Sequence, residues 1–234
     1  MATHPRGRFS VTDEAQVAFA PDLRLSRPST LLSTQLSLKR MFDAVSALVL
    51  LVLLTPLLLL AALAVRLSSP GPVLFRQKRW GRNDSRFDCW KFRTMHVKQD
   101  SLVDSSAIRR MESRGILFKP KDDPRVTRLG ALLRKTSIDE LPQLFNVLTG
   151  DMSLVGPRPL MLHMLDPYPE LRRARGLVRP GITGIWQVSA RENNETALQM
   201  AHYDLAYIRE FSLWNDLLIF LRTPAAVLFG RGAH

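Results

Sequence analysis

The sequence predicts an α+β fold that is mainly helical, with one small β-hairpin and a long apolar helix on its N-terminal side. The first observation is a stretch of 22 uncharged residues at 44–65. The second is a pair of strand-like runs, 73–80 and 86–95, on either side of the polar turn GRNDS. The third is the helical spacing of apolar residues in most of the chain after residue 125. Together they predict a helical protein, associated with a membrane, that contains one hairpin.

Length and composition indicate one domain of ordinary size with a core of its own. The 234 residues include 33 Lys and Arg against 21 Asp and Glu, a net charge of +12. This balance favours anionic partners such as nucleic acid, acidic lipid headgroups or phosphorylated substrates. The one cysteine, Cys89, excludes an internal disulfide and a cysteine-based zinc cluster. A reducing, cytoplasmic setting fits that cysteine usage.

The N-terminal part divides into a tail and a membrane segment. Residues 1–35 are rich in Ser, Thr, Pro and Arg without a sustained period, which predicts a disordered tail. The segment 36–67 contains the apolar run, and at about 1.5 Å per residue this run covers a hydrocarbon core of about 30 Å. A secretory signal is disfavoured, because its apolar region spans only about 7–15 residues and starts near the N-terminus. The remainder, 68–234, is predicted to form one domain.

The apolar segment is either a spanning helix or a re-entrant hairpin that enters and leaves one face of the membrane. Lys39 and Arg40 precede the run and Arg66 follows it, and loops rich in Lys and Arg tend to stay in the cytoplasm. Pro56 lies in the middle, where it removes a helical hydrogen bond, and Thr55 can supply a donor to a freed carbonyl. The residues favour the re-entrant form modestly, since proline kinks also occur in spanning helices.

The predicted hairpin is strongly basic. Its cations and aromatic residues are interleaved, as in proteins that bind single-stranded nucleic acid: Arg79, Trp80, Trp90, Lys91, Phe92 and Arg93. The alternative is a half-buried hairpin whose charged face meets water or lipid phosphate. The apolar run just upstream favours this alternative.

The second half of the chain is predicted as short helices with one strand. Residues 100–115 indicate an exposed helical connector, and the segment "IWQVSA" at 185–190 is interpreted as a strand. The remaining segments have apolar residues at helical spacing, at 125–136, 138–148, 195–211 and 213–229. The last of these is apolar enough to lie on a membrane surface as an interfacial helix.

Two adjacent carboxylates, Asp139 and Glu140, begin the helix predicted at 138–148. With Ser137 they match a capping box, in which Ser137 caps the helix and Glu140 binds back to it. Pro142 argues against that interpretation because it lacks the amide that such a helix needs. In either case the helix dipole favours ionised carboxylates in the first turn. That turn therefore suits a nucleophile or a metal ligand as well as a cap.

Arginines near this pair favour phosphate chemistry. Arg134 precedes Asp139 by five residues, and Arg158 lies between two prolines that restrict its backbone. A guanidinium held in this way loses less entropy when it binds phosphate oxygens with two hydrogen bonds. Arg191 has no such support beyond being a basic residue after a predicted strand. The histidines His96, His163 and His202 lack the spacing of metal ligands.

Several motifs resemble those of the bacterial sugar transferases, the monotopic polyprenyl-phosphate phosphoglycosyl transferases. The resemblance extends over residues 38–232 and rests on "KRMFDAVSALVLLVLLTP", "GPVLFRQKRWGR", "KFRTM", "SIDELPQLFNVLTGDMSLVGPRP" and "VRPGITGIWQVSAR". It implies transfer of a sugar 1-phosphate from a UDP-sugar, such as UDP-galactose or UDP-glucose, to undecaprenyl phosphate. UMP would be released, and the product would begin exopolysaccharide or other glycoconjugate assembly.

The resemblance also implies roles for individual residues. Asp139 matches the nucleophile and Glu140 its partner in a catalytic dyad, with Mg²⁺ as cofactor at these two carboxylates. Thr55 and Pro56 match the break of a re-entrant helix, with Thr in place of the family's Ser. Three residues match phosphate-binding arginines of the family: Arg134, Arg158 and Arg191.

The partners implied are a UDP-sugar, undecaprenyl phosphate and the lipid bilayer, without nucleic acid; a homodimer is compatible with the sequence. The expected location is the cytoplasmic face of the inner membrane, with 68–234 as the catalytic domain. The alternative from another class is a membrane-anchored basic protein that binds nucleic acid or acidic lipid. It predicts binding to polyanions with a steep salt dependence and no need for Asp139.

Overall fold

The apolar run lies in the longest helix of the structure, a computed structural model that describes residues 30–97, 123–189 and 197–229. Helix α1 covers Thr30–Ser68, 39 residues with Pro56 inside. It begins within the predicted tail, so the boundary predicted at residue 36 lies inside the helix. The connector predicted at 100–115 and Arg191 lie outside the described residues. Within the described part, α1 is long and apolar enough to cross a membrane, judged by length and composition.

The other elements are shorter than α1, and they include two strands and two helices, at 153–183, that the sequence did not predict. A 3₁₀ turn joins the two hairpin strands and a second one carries the carboxylate pair. The elements are β1 (Leu74–Trp80), the 3₁₀ turn Arg82–Asp84, β2 (Arg86–Phe92), α2 (Arg128–Lys135), the 3₁₀ turn Ile138–Glu140, α3 (Gln143–Thr149), β3 (Ser153–Val155), α4 (Leu162–Leu165), α5 (Pro169–Arg175), β4 (Gly181–Thr183), α6 (Ile185–Ser189), α7 (Ala197–Arg209) and α8 (Leu213–Phe229).

One stripe of α1 packs against the rest of the protein. Ala47, Leu51, Ala61 and Val65 are buried, at spacings that keep them on one side of the helix. The largest core cluster joins Ala47 and Leu51 to side chains of β2, α3, β3, α7 and α8, and Ala61 and Val65 belong to a second cluster with side chains of β2 and α2. Most of the other apolar side chains of α1 are exposed, among them Val52 at 66 %. The exposed side is therefore the surface that lipid would cover.

Polar contacts attach both ends of the apolar run to the same globular part. At the first end, Lys39 forms an ion pair of 2.5 Å with Asp216 in α8, and Asp43 accepts a hydrogen bond of 3.1 Å from the backbone N–H of Leu154. At the other end, Arg93 donates to the carbonyl oxygen of Ser69 at 2.6 Å. These buried contacts fix α1 along one face of the domain.

Helix α1 continues through Thr55 and Pro56 as a single element. The Thr55 hydroxyl donates to the carbonyl oxygen of Leu51 at 2.7 Å. The carbonyl that Pro56 deprives of a donor belongs to Val52, four residues earlier. The donor expected from Thr55 thus goes to the neighbouring carbonyl instead. Re-entry into one face of the membrane stays a prediction.

The hairpin is confirmed, and its register separates two faces. Strands β1 and β2 are antiparallel, and Arg76, Lys78 and Trp80 lie opposite Trp90, Asp88 and Arg86. These six residues form the outer face. Since side chains alternate along a strand, the inner face carries the residues between them. Two further strands, β3 and β4, form a parallel pair.

Two local predictions are wrong. The segment predicted as a strand at 185–190 forms helix α6, and the strand of this region is β4, just upstream. The capping box is also absent. Ser137 has a φ of 56° and a ψ of 15°, in the left-handed region, and its side chain makes no cap hydrogen bond. The turn Ile138–Glu140 therefore starts from a bend, and α3 begins separately after Pro142.

Gly130 brings α2 into contact with the segment after β2. A Cβ atom at this position would lie 2.1 Å from the carbonyl oxygen of Thr94, much closer than van der Waals contact. We expect Gly130→Ala to lower the free energy of unfolding by about 1–3 kcal/mol through overpacking. Chemical denaturation would measure it. The control is Gly176→Ala, whose Cβ would meet nothing nearer than 3.3 Å; equal losses in the two variants would contradict the close approach.

Candidate active site

The Asp139 carboxyl is buried among charged groups at the turn between α2 and α3. Only 7 % of the surface of Asp139 is exposed. None of the described residues donates a hydrogen bond to this carboxylate. Burial and the neighbouring charge of Glu140 raise the pKa of Asp139 to about 6, while Lys91, Arg134 and Arg158 act in the opposite direction. An ionised carboxylate in this place is poorly solvated, which makes it reactive toward an electrophile or a cation.

Glu140 is held by two cations. Its Oε1 atom lies 2.6 Å from Nζ of Lys91 and 3.3 Å from Nη2 of Arg158. Lys91 comes from β2 of the hairpin and Arg158 from the loop after β3, so the contacts join three distant segments. The Glu140 side chain is 15 % exposed. These contacts fix one carboxylate of the pair beside the buried Asp139.

Arg134 and Arg158 both lie close enough to the carboxylate pair to lower the pKa of Asp139. Arg134, in the last turn of α2, donates from Nε to the hydroxyl of Thr94 at 2.9 Å and acts on the charge of Asp139. The guanidinium of Arg158 also lies over the ring of Trp186, 5.1 Å from its centroid. The structure thus brings together four of the predicted site residues. Arg191 lies outside the described residues.

Two cations that belong to this site were not identified as site residues from the sequence. Arg79, Lys91, Glu140 and Arg158 line one small pocket, with a volume of about 10 Å³. Arg79 donates to the carbonyl oxygen of Pro159 at 3.2 Å, and its buried Nε has no hydrogen-bond partner within the described part of the chain. Burial lowers the pKa of Arg79 to about 10, so this arginine stays charged at neutral pH. Three cations and one carboxylate give this pocket a net positive charge, which attracts phosphate groups.

Strand alternation explains why Arg79 and Lys91 share the pocket. Cys89 also lines it, and the register pairs Arg79 with Phe87 and Phe75 with Lys91. Arg79, Cys89 and Lys91 therefore lie on the inner face of the hairpin. The alternation was visible in the sequence, but the face that meets the carboxylates depends on how the hairpin packs.

On the outer face of the hairpin, cationic side chains contact aromatic rings and an acidic side chain of the opposite strand. Arg76 lies 4.8 Å from the ring centroid of Trp90, and Arg86 lies 4.8 Å from that of Trp80. Lys78 forms an ion pair of 3.0 Å with Asp88. A base would have to displace these guanidinium groups to stack on the rings. Cross-strand pairs within the hairpin therefore account for Trp80 and Trp90, whereas Arg79, Lys91 and Arg93 bind other segments.

Asp139 and Glu140 offer the kind of oxygen ligands that Mg²⁺ prefers. This cation takes oxygen ligands and is commonly bound by one or two carboxylates together with substrate phosphates and water. Asp139 offers a carboxylate that receives no hydrogen bond from the described residues, and Glu140 adjoins it in the same turn. The described residues hold no cluster of three or more His, Cys, Asp or Glu side chains. Two adjacent carboxylates without a third acidic or histidine ligand in the described part of the chain fit a cation that is shared with a substrate better than a cation bound by the protein alone.

Comparison with known proteins identifies the same family that the sequence motifs resemble. The family model described as "Bacterial sugar transferase" matches residues 34–230. A UDP-glucose:undecaprenyl-phosphate glucose-1-phosphate transferase of Caulobacter vibrioides is 48 % identical over 84 % of this chain and 72 % of its own length. The exopolysaccharide production protein ExoY of Rhizobium meliloti is 41 % identical over 84 % of this chain and 88 % of its own.

Other relatives are longer than this chain. An undecaprenyl-phosphate galactose phosphotransferase of Salmonella typhimurium is 40 % identical over 84 % of this chain but only 42 % of its own length. The chain spans about two fifths of the length of several curated relatives. The relatives' names include both glucose and galactose. They give no support to a basic protein that binds nucleic acid.

Proposed function

This chain belongs to the bacterial sugar transferase family, and we propose that it transfers a hexose 1-phosphate from a UDP-sugar to undecaprenyl phosphate. UMP is the other product, and the lipid-linked sugar begins exopolysaccharide or other glycoconjugate assembly. The observation that carries the proposal is the buried Asp139 carboxyl beside the cationic pocket of Arg79, Lys91 and Arg158. The names of the relatives support the substrate classes.

In the proposed mechanism Asp139 is the nucleophile. One of its oxygens attacks the sugar-linked phosphorus of the UDP-sugar, the bond from that phosphorus to the bridging oxygen breaks, and UMP leaves with the bond's electron pair. An oxygen of undecaprenyl phosphate then attacks the same phosphorus and displaces the Asp139 carboxylate. This divides one phosphoryl transfer into two steps, as covalent catalysis does.

The neighbouring residues bind and orient the charged groups. Arg134 and Arg158 attract the phosphates that the two acids would otherwise repel. Lys91 neutralises Glu140 and keeps it beside Asp139, since the ion pair is 2.6 Å long. Mg²⁺, held at Asp139 and Glu140 with substrate phosphate, would supply charge neutralisation on the diphosphate. Arg191 retains its proposed phosphate role from the family motif.

We also propose that α1 enters and leaves the cytoplasmic face of the inner membrane. Lys39 and Asp43, before the apolar run, and Ser69, after it, all contact the same domain. A helix that crosses a bilayer places its ends on opposite sides of a hydrocarbon core of about 30 Å. Contacts from both ends to one domain support a helix that lies on or re-enters one face.

Release of UMP from a panel of UDP-sugars tests the reaction. Purified protein in detergent or lipid discs is mixed with undecaprenyl phosphate and Mg²⁺, and UMP and lipid-linked sugar are measured. We expect UDP-glucose or UDP-galactose to give both products in equal amounts, and EDTA to stop the reaction. Folded protein that produces neither from any UDP-sugar would refute the proposal. Steeply salt-dependent binding of DNA or of anionic lipid in its place would favour the alternative function.

Lys91 provides a test of the pocket with a control in the same hairpin. We expect Lys91→Met to lower kcat/KM for the UDP-sugar by about 10- to 100-fold, because Glu140 loses its nearest cation and the phosphates lose a positive charge. Lys78→Met removes an equivalent charge from the outer face, where Lys78 is 60 % exposed. Its kinetics should stay near wild type. Similar losses in the two variants would show that only the net charge of the hairpin matters.

A further inference from the structure

We propose that Arg175 and Asp204 are positioning residues: together they hold the main chain of Arg158 and so aim its guanidinium at the phosphate site. This inference rests on the proposed function, which makes Arg158 a phosphate-binding residue. Arg175 ends α5, Asp204 lies in the middle of α7, and Arg158 belongs to the loop after β3. Three segments distant in the sequence thus meet behind the active site.

The sequence Pro157-Arg158-Pro159 gives this loop few ways to be anchored. Proline has no backbone N–H, so the only amide donor of the three residues is that of Arg158. That N–H interacts with the carboxylate of Asp204 and lowers the pKa of this acid against the effect of burial. The carbonyl oxygen of the same residue accepts a hydrogen bond from Nη2 of Arg175. One pair of side chains therefore interacts with both backbone polar groups of Arg158.

The pair that binds them is an ion pair in the interior. Nε of Arg175 lies 2.8 Å from Oδ2 of Asp204, and the two side chains are 6 % and 4 % exposed. The planar guanidinium of Arg175 binds Asp204 through one nitrogen and the carbonyl of Arg158 through another. Buried ion pairs seldom stabilise a fold more than apolar residues of the same volume. A pair of apolar residues at 175 and 204 could not make the directional hydrogen bond to Arg158, so the role of the ion pair is to fix that geometry.

Other contacts bind the main chain of the two prolines that flank Arg158. The main chain of Arg158 itself is held by Arg175 and Asp204. The carbonyl of Pro157 accepts a hydrogen bond of 2.9 Å from the N–H of Gly181. The carbonyl of Pro159 accepts one of 3.2 Å from Arg79. The Arg158 side chain then extends to Glu140, at 3.3 Å. Rotation of the Arg158 backbone would move this guanidinium, and displacements of about 1 Å at such groups reduce turnover by about 100-fold.

Arg175→Lys is the decisive variant. Lysine keeps a positive charge beside Asp204, but it lacks the planar fork with which arginine binds two partners in fixed directions. We expect kcat/KM for UMP release to fall by about 10- to 100-fold. Asp204→Asn leaves the charge of Arg175 unpaired and should cause a loss at least as large.

A second buried ion pair gives the matched control for Asp204→Asn. Asp216 pairs with Lys39 at 2.5 Å, with side chains 6 % and 9 % exposed, and it also accepts a hydrogen bond from the hydroxyl of Tyr207. Asp216→Asn therefore removes a buried charge of the same kind at a site away from the loop. We expect it to lower the melting temperature about as much as Asp204→Asn, while the folded protein keeps near-normal kcat/KM.

A double-mutant cycle separates positioning from general stability. In an Arg158→Ala background the pair still binds the backbone, but no guanidinium remains to be aimed. Arg175→Lys should then cause no further loss of kcat/KM. Full additivity in the cycle, or an equal kinetic loss in Asp216→Asn, would overturn the inference. Wild-type protein that releases no UMP would instead refute the proposed function, so the two failures are distinguishable.

Discussion

Asp139→Asn is expected to abolish UMP release and, at the same time, to raise the melting temperature of the Mg²⁺-free protein above pH 7. The loss follows because an amide oxygen is a poor nucleophile and a poor ligand for a cation. Removal of a covalent nucleophile lowers turnover by at least about a thousandfold. The change is nearly isosteric, so the fold should persist.

The gain in stability follows from the pKa of Asp139. Burial first, and the charge of Glu140 second, raise it from 3.8 to about 6. A carboxyl whose folded pKa exceeds its unfolded pKa stabilises the fold fully below about pH 4, and this contribution is lost as the pH rises through about 6. At pH 8 the ionised Asp139 therefore costs the fold on the order of 1–3 kcal/mol. Asparagine is neutral at every pH and avoids this cost.

Melting curves at several pH values in EDTA would check the stability prediction. The difference between Asp139→Asn and wild type should reach several degrees at pH 8 and disappear near pH 4. Asp166→Asn, at an exposed position, serves as a control with no expected effect on melting or turnover. Near-normal turnover in folded Asp139→Asn would remove Asp139 from the mechanism. If Asp139→Asn is inactive but melts below wild type at pH 8, the catalytic assignment stands and only the electrostatic explanation of stability is contradicted.

The second large effect concerns the order of chemistry and appears when the lipid is omitted. If Asp139 attacks the UDP-sugar directly, wild-type protein mixed with UDP-glucose or UDP-galactose should release up to one UMP per active site. The peptide containing Asp139 should then carry the additional mass of a phospho-sugar. Undecaprenyl phosphate added afterwards should remove this mass and yield lipid-linked sugar. These results are expected because the first step does not require the acceptor.

Direct attack by undecaprenyl phosphate on the UDP-sugar is the competing route. In that case Asp139 serves only as a metal ligand, and neither UMP nor an adduct forms without lipid. Rapid quench with sugar-labelled substrate distinguishes the routes, and UMP is followed together with mass because an acyl phosphate hydrolyses. Asp139→Asn should give neither product. Wild-type protein that is active with lipid, but gives no UMP and no adduct without it, would exclude the covalent route.

Features encoded by local periodicity were predictable from the sequence. The long apolar helix, the hairpin, and helices α2, α7 and α8 follow from spacing alone, and the structure places them with small differences at their ends. The sequence also proposed the carboxylate pair, Arg134 and Arg158 as site residues, and the structure places these residues near one another. The adjacent acids at 139 and 140 and the prolines on both sides of Arg158 are visible in the sequence without the fold.

Local patterns failed where tertiary contacts compete with them. The segment at 185–190 has the alternation of a strand but forms helix α6, in which Trp186 is buried against the second core cluster. Ser137 matches a capping box by residue type, yet it adopts a left-handed conformation. The position of the turn between α2 and α3 decides that conformation, and no four-residue motif contains this information.

The sequence by itself determined which residues have the chemistry of this protein: an apolar helix for lipid, two acids in one turn, and arginines suited to phosphate. Only the tertiary structure decided which cations meet those acids. Lys91 reaches Glu140 because the inner face of the hairpin packs over the turn. Arg175 and Asp204 meet at Arg158 because α5 and α7 close behind its loop. The physical reason is that periodicity specifies a residue's face on its own element, whereas the partner of that face depends on packing between elements distant in the chain.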